Sequence, residues 1–361
     1  MSWKAVRTVA VLELRQRVRS TRWQVMLVVW GVVLVLLCGG MTSLAGMSGA
    51  QQGEVAPILY DLTLSFVLGI GLIVAPTLSA TSINGDRADA TLALLQATAL
   101  RSREIVVGKL MAAWLAALAF LAVAAPFLLI FTVTGGASWT ALAGHLFVLM
   151  VSLGAVCAVG LGFSAATARP SASAVLTYLV VTALVIGTPL MMTISTTAVH
   201  GEQRQITYTT DYDESTNNKQ VCEKDPDIYT SDIVHWEQIW WMLVPNPFVA
   251  LGDVSSRAPV TDIDSRTSYS PLGGLGLGVD TMRTPQPAEV VSYYCGNNSH
   301  STGDDDVRRP EHMAFWPVTL LVLGLLGAWS LVSASRRLRT PARSLARGTP
   351  SQTHILTLNP Q

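Results

Sequence analysis

The sequence predicts an all-α polytopic membrane protein with six transmembrane helices, both termini cytoplasmic, and a large extracytoplasmic segment between helices 5 and 6. Three observations carry this. Six apolar runs each approach the ~20 residues that cross ~30 Å of hydrocarbon. Charged residues are 13% of the 361 positions, against about a quarter in a soluble domain. A formal net charge of zero conceals a strong segregation of sign. Sixteen of the twenty-four Lys and Arg residues fall in residues 1–23, the stretch Asn84–Lys109, Arg169 and the tail after Ser335, beside only Glu13, Asp86, Asp89 and Glu104. The segment His200–Met313 holds eight basic residues against eighteen acids. Short basic loops face the cytoplasm, so the basic segments are predicted inside and the acidic one outside.

Residues 1–23 carry Lys4, Arg7, Arg15, Arg17, Arg19 and Arg22. As a helix, Lys4, Arg15, Arg19 and Arg22 share one arc and Val6, Val9 and Ala10 lie opposite, with Glu13 and Arg17 intruding on the apolar arc. Two readings remain open for this stretch: a cytoplasmic basic helix lying on the inner membrane surface, or an ordinary flank obeying the positive-inside rule. The first span is predicted at Gln24–Leu44. A signal peptide is the competing reading, and the length of the basic region before the span counts against it. Further spans are predicted at Tyr60–Ile83, Leu110–Val133 (with a kink at Pro126), Ala141–Ala168, Ala172–Thr196 and Ala314–Ser335. Arg169-Pro170-Ser171 makes the hairpin between the fourth and fifth. The division is therefore 1–23, a membrane region 24–198 with a cytoplasmic loop 84–109, an extracytoplasmic domain 199–313, a last span 314–335, and a basic cytoplasmic tail 336–361.

In the acidic segment, Gln205–Thr210 alternates like a strand. Ile233–Leu251, with Trp236, Trp240, Trp241 and Phe248, predicts a helix at the outer interface, where indole rings settle, ended by Pro245-Asn246-Pro247. Pro271–Val279 is Gly- and Leu-rich and predicts a flexible or re-entrant turn. Asp304-Asp305-Asp306 lacks the alternation of a calcium loop and reads as a solvated turn. Cys38 and Cys157 fall inside spans as small packing residues. Cys222 and Cys295 share the exterior segment, where a disulfide is predicted; two free thiols are the alternative.

The stretch Asn84–Lys109 organises the rest. Asp86 or Asp89 is predicted to cap a helix through Leu92, Leu94 and Leu95, and Ser102 a second one, with Glu104 suited to the dipole of its first turn. Two short helices with a corner would then stand at the mouth of two spans. No phosphate-cradling Gly-x-x-x-x-Gly-Lys, no Gly-x-Ser-x-Gly and no His-Glu-x-x-His occurs, so an enzyme is not predicted. Proton-coupled transport needs intramembrane ionisable groups, and only Asp61 and His145 qualify, both near outer ends.

Glu13-Leu14-Arg15 with Arg19-Ser20 and Trp23, and above all Thr91–Thr98 followed by Arg101-Ser102-Arg103-Glu104-Ile105 and Gly108-Lys109, resemble the integral-membrane permease subunit of ABC transporters of the type-2, exporter class. Pro245-Asn246-Pro247-Phe248 is similar to a weaker feature of that class. Ala90 stands where a Gly is usual and Ala99 where a Pro is usual. The resemblance implies a subunit embedded in the lipid bilayer that pairs with a second permease, identical or homologous, and docks a cytoplasmic ABC ATPase. ATP would be bound by that partner, so no cofactor is expected on this chain, nor a nucleic-acid partner. It also implies an ATPase-coupling role for Asp86, Arg87, Thr91, Leu94, Leu95, Arg101, Arg103 and Glu104. Two rival classes stand beside it: a membrane scaffold or sensor whose exterior segment binds a ligand or protein, and a polytopic lipid enzyme, which would need intramembrane acids or histidines that the spans lack.

Overall fold

Helix α1 (Trp3–Val18) stops at Arg19 and Ser20, where Ser20 Oγ accepts from Trp23 N and so opens the next helix, α2 (Thr21–Met47). The computed structural model describes residues 2–47, 52–88, 101–134, 136–216, 219–222, 224–257, 270–294 and 310–338. Helix α3 (Gln52–Ser79) turns into the short α4 (Ser82–Ala88); α5 (Ser102–Val133) and α6 (Trp139–Ala166) follow. The next helical run begins as α7 (Pro170–Thr182), widens to a π turn at Ala183–Gly187, and resumes as α8 (Thr188–Ser195). Among the described residues, six helices are long and apolar enough to cross a membrane: Thr21–Met47, Val55–Asp86, Ser102–Val133, Trp139–Ala166, Pro170–Ala198 and Trp316–Arg337, the last being α11. They correspond to the six predicted runs, with ends shifted by a few residues.

Burial separates central spans from peripheral ones. The most apolar window of α6 is 67% buried, whereas those of α2 and of the α7–α8 run are only 17% and 11% buried. Between α6 and α11 small residues bring the backbones together. A Cβ on Gly162 would lie 2.8 Å from Ser330 Cβ, and one on Gly327 3.3 Å from Ala158 Cβ. Close approach of this kind is how spans associate where lipid offers no hydrophobic drive. Indole N–H groups in such a core need acceptors, and they have them: Trp30 donates to Phe120 O at 3.0 Å and Trp114 to Met150 O at 2.9 Å. Cys38 and Cys157 are buried in this packing, as predicted. His145 is satisfied on both nitrogens, with Tyr60 Oη 2.9 Å from Nδ1 and Ser255 Oγ 3.0 Å from Nε2.

The π turn has a local cause. Pro189 has no N–H to give to the carbonyl of Val185, four residues back, and wide turns form where such a bond is lost. Asn246 Nδ2 donates to Val185 O at 3.0 Å instead, and to Thr188 Oγ1 at 3.0 Å. This revises the expectation for Ile233–Leu251. No continuous helix forms there. A strand over Asp227–Val234 takes Ile233 and Val234, Trp236–Gln238 and Trp240–Leu243 are single 3₁₀ turns, and Pro245-Asn246-Pro247 starts a helix rather than ending one. Pro247 occupies its first turn, where a missing N–H costs nothing, and Asn246 Oδ1 accepts from Phe248 N. Trp240 does not simply rest at an interface; the Arg283 guanidinium lies 4.6 Å above its ring.

Beyond α8 the chain forms β1 (His200–Tyr208), which starts five residues and ends two residues before the predicted strand, then β2 (Thr210–Thr216), β3 (Lys219–Cys222) and β4 (Asp227–Val234). Strand β1 pairs antiparallel with β4 and parallel with β5 (Glu289–Tyr293), and β2–β3 form a separate hairpin. Cys222 ends β3, while Cys295 and Asp304–Asp306 lie outside the described residues. Two helices, α9 (Pro247–Ser256) and α10 (Pro271–Thr281), cross so closely that a Cβ on Gly276 would meet Gly252 O at 2.1 Å. The predicted flexible turn at Pro271–Val279 is thus a helix: its glycines allow a backbone-to-backbone contact, and its first turn is capped. Asp61 Oδ2, from α3, accepts from Leu272 N at 2.9 Å and from Ser270 Oγ at 2.6 Å.

The same device anchors the last span. Asp253 Oδ2 accepts from Phe315 N and Trp316 N at 2.8 and 3.0 Å, and its Oδ1 accepts from Arg257 Nε at 2.8 Å. A fully buried carboxylate bound on both oxygens leaves two backbone donors and a guanidinium unpaired when it is removed. Asp253→Ala is therefore expected to destabilise the protein by about 3–5 kcal/mol. Asp253→Asn keeps one acceptor and should cost less. Tryptophan-fluorescence melting of the two variants in detergent checks the order, and an Ala variant as stable as the parent would remove Asp253 as an anchor.

Candidate functional site

The corner between α3 and α5 is built from polar residues that three other helices hold. At the start of α4, Ser164 Oγ of α6 accepts from Ile83 N and Asn84 N at 3.0 and 3.1 Å, meeting donors that a helix N-terminus leaves free. Ser173 Oγ of α7 donates to Ala80 O in the turn just before. Arg17 donates to Leu78 O at 2.8 Å, a cation on carbonyls at the C-terminal end of α3. Burial pulls the Arg17 guanidinium below its ordinary pKa, and the Glu13 carboxylate pulls it back up.

At the centre lies Lys109, whose side chain has no exposed surface. Its ammonium sits 2.7 Å from Asp86 Oδ2, donates to Glu13 Oε1, and reaches Ser82 O at 3.3 Å. One buried cation thereby joins α1, α4 and α5. The helix α1 can come this close because residue 108 is a glycine: a Cβ there would lie 2.7 Å from Val9 Cβ and 3.1 Å from Val6 O. Val6, Val9 and Ala10 are the buried residues of α1, the same apolar arc that the sequence pattern marks, while Lys4, Arg7, Arg15 and Arg19 stay exposed.

Helix α5 opens at this point. Its N-cap is Arg101 rather than Ser102; Glu104 accepts from Arg101 N at 3.0 Å and also from Ser2 N. Ser102 Oγ instead donates to Leu338 O at 3.3 Å, just past the end of α11. Of the residues assigned to coupling, Asp86 and Glu104 face inward into these bonds, whereas Arg101 and Arg103 are exposed. Asp86 lies inside α4 and pairs with Lys109, so it is not the helix cap that its position suggested. Arg87 ends within α4; Thr91, Leu94 and Leu95 lie outside the described residues. Three residues central to the site were not assigned to it from sequence: Glu13, Arg17 and Lys109. A signal was present, because Glu13 and Arg17 are the two charges that interrupt the apolar arc of α1.

Among the described residues no cluster of His, Cys, Asp or Glu could hold a metal ion. Through Lys109 the helices α4, α5 and α1 are linked to one another. No curated protein matches the chain. The family model described as ABC-2 family transporter protein matches residues 7–245, from the first turns of α1 through the fifth span to the residue before Asn246. With more than half its length matched and six membrane-crossing helices, the chain is a multi-pass membrane protein belonging to the ABC-2 transporter family.

Proposed function

We propose that the chain is the permease subunit of an ATP-driven exporter, energised by a separate cytoplasmic ATPase that docks on the stretch 84–109. The observation that carries this is the buried Glu13–Lys109–Asp86 ion triad. A loop that merely connects two spans has no use for a fully buried lysine tying it to an N-terminal helix and to the next span. A lever that must convert a push into helix movement does. Family membership supports the transport role. The basic segments support a cytoplasmic location for both termini and the corner, and the acid-rich segment an outer location for residues 199–313.

On this reading Leu94 and Leu95 enter a groove on the ATPase, and Arg101 and Arg103 stand exposed at the edge of the contact. Closure of two ATPases moves α4, and the triad passes that motion to α5 and α1. Two permease copies, identical or homologous, rock apart and open a path between them. The cargo is a small amphipathic molecule, a lipid or drug-like compound, to which the apolar spans are suited.

Three outcomes are expected. Cysteines placed at Gln16 and Met313, with Cys222 and Cys295 replaced by Ser, should label from opposite sides in intact cells: Met313 with an impermeant maleimide, Gln16 only after permeabilisation. The reverse pattern overturns the orientation. Leu94→Asp puts an unpaired carboxylate into the groove at a cost of several kcal/mol, on the order of a hundredfold or more in ATPase affinity; the variant should insert normally but lose the ATPase on co-purification. Lys109→Met leaves two carboxylates facing each other without their cation, for about 3–5 kcal/mol of lost stability. It should melt earlier yet still retain the ATPase through Leu94 and Leu95, while substrate-stimulated ATP hydrolysis falls to background. Normal stimulation in a Lys109→Met complex would show that the triad only holds the fold together.

A further inference from the structure

Next to the corner, but separate from the triad, a cleft of about 420 Å³ opens between the first turns of α5 and the last turns of α11. Its walls are apolar: Val106 and Val107 from α5, Leu331 and Val332 from α11. Val106 belongs to a buried cluster with Ile83, Leu161 and Ala334, which forms a firm floor. Two arginines stand at the mouth, Arg103 from α5 and Arg336 from α11, and both are exposed. Neither takes part in an ion pair or side-chain hydrogen bond among the described residues. The nearest carboxylate in sequence, Glu104, is turned away onto the N–H groups of Arg101 and Ser2.

We propose that this cleft binds one anionic glycerophospholipid from the surrounding leaflet, its phosphate between Arg103 and Arg336 and an acyl chain along Val107, Leu331 and Val332. The guanidinium fork matches phosphate oxygens in plane and number. Both arginines sit at helix ends, Arg103 in the first turn of α5 and Arg336 in the last turn of α11, and basic pockets between spans at the membrane surface hold anionic headgroups. The apolar walls distinguish a lipid from a free anion. A soluble phosphate would occupy the mouth and leave Val107, Leu331 and Val332 uncovered, whereas a diacyl lipid covers both halves of the cleft. Bound there, the lipid bridges the two helices that the Ser102 Oγ to Leu338 O hydrogen bond already joins. The inference rests on the six spans and on the cleft, and not on docking of an ATPase.

The test is native mass spectrometry of the full-length permease alone, released from neutral detergent after incubation with dioleoyl phosphatidylglycerol, dioleoyl phosphatidylcholine or glycerol 1-phosphate. Phosphatidylglycerol should stay bound where phosphatidylcholine and glycerol 1-phosphate do not. The double variant Arg103→Gln/Arg336→Gln removes the charge-assisted bonds and should weaken retention about tenfold. Leu331→Trp, which fills the apolar wall and keeps both arginines, should weaken it as well, and it carries the test if the double variant does not fold. Arg15→Gln on α1 should change nothing. Equal retention of the two lipids, parent-like retention in either cleft variant, or equally firm binding of glycerol 1-phosphate would each overturn the lipid site.

Discussion

A lysine without exposed side-chain surface, held between Glu13 and Asp86, is the interaction on which the basic end of the structure depends. Taking an ammonium out of water is expensive unless opposite charge and further acceptors replace the water, and here two carboxylates and Ser82 O do so. Those partners come from two different helices, so the lysine cannot be satisfied unless α1 and α4 both sit against α5. The requirement works in reverse too. Glu13 and Asp86 would otherwise face each other as like charges, and Arg17 is placed by the same seating of α1, with Leu78 O as its acceptor. Helix α1 is thus a fitted part of the fold and not a loose basic flank, and Gly108 is the residue whose small size admits it.

How much of this could be read in advance divides along physical lines. The six spans were legible because ~20 consecutive apolar residues have one stable state in a bilayer, and the buried face of α1 was legible from its period. The Glu13–Lys109–Asp86 triad was not, although all three residues were in view, because which charges meet is settled by residues 96 and 23 positions apart in sequence. Glu13 and Arg17 looked like flaws in an amphipathic pattern; a charge on an apolar arc marks the place where another helix supplies its counter-charge. The acidic end shows the same limit. Propensity argues against a helix at Pro271–Thr281, with its four internal glycines, until Gly252 of α9 and Asp61 of α3 are brought beside it. Pro245-Asn246-Pro247 carries both a stop and a start signal, and the choice falls to Asn246, which caps α9 while filling the vacancy that Pro189 makes in the fifth span.

The two ends use charge differently. At the acidic end three carboxylates accept from backbone N–H groups: Asp61 from Leu272 at the start of α10, Asp253 from Phe315 and Trp316 at the start of α11, and Asp280 from Glu311 in the segment leading to α11. Carboxylates are favoured near helix N-termini, so part of the acid excess of this region is spent in holding α10 and α11 in place. Arg257 then pairs with Asp253 and Asp280, and Arg283 with Asp280. The domain is fastened to the membrane region through α3, the π turn of the fifth span, and the entry of α11. At the basic end cations predominate and act on a helix C-terminus, as Arg17 does, and on half-buried acids, as Lys109 does.

These fastenings determine what can move together under the proposed coupling. The corner is bonded to α1, α5, α6 and α7, and Ser102 extends the set to the end of α11. A push on α4 therefore cannot be absorbed by one span; it must rotate α5 and α6 as a unit or break buried polar bonds, which is the costlier course. The fifth span is gripped at its start, by Ser173 on Ala80 O, and within the π turn itself, by Asn246 on Val185 O. That turn is where its two halves can change angle at the least expense, since its regular hydrogen bonding is already interrupted. Helix α2 and the α7–α8 run carry the largest uncovered apolar faces, with Leu36, Leu179 and Ile186 each more than half exposed. A second permease seated on those faces would meet the span that carries the π turn, and the path between two copies would then widen at that turn first.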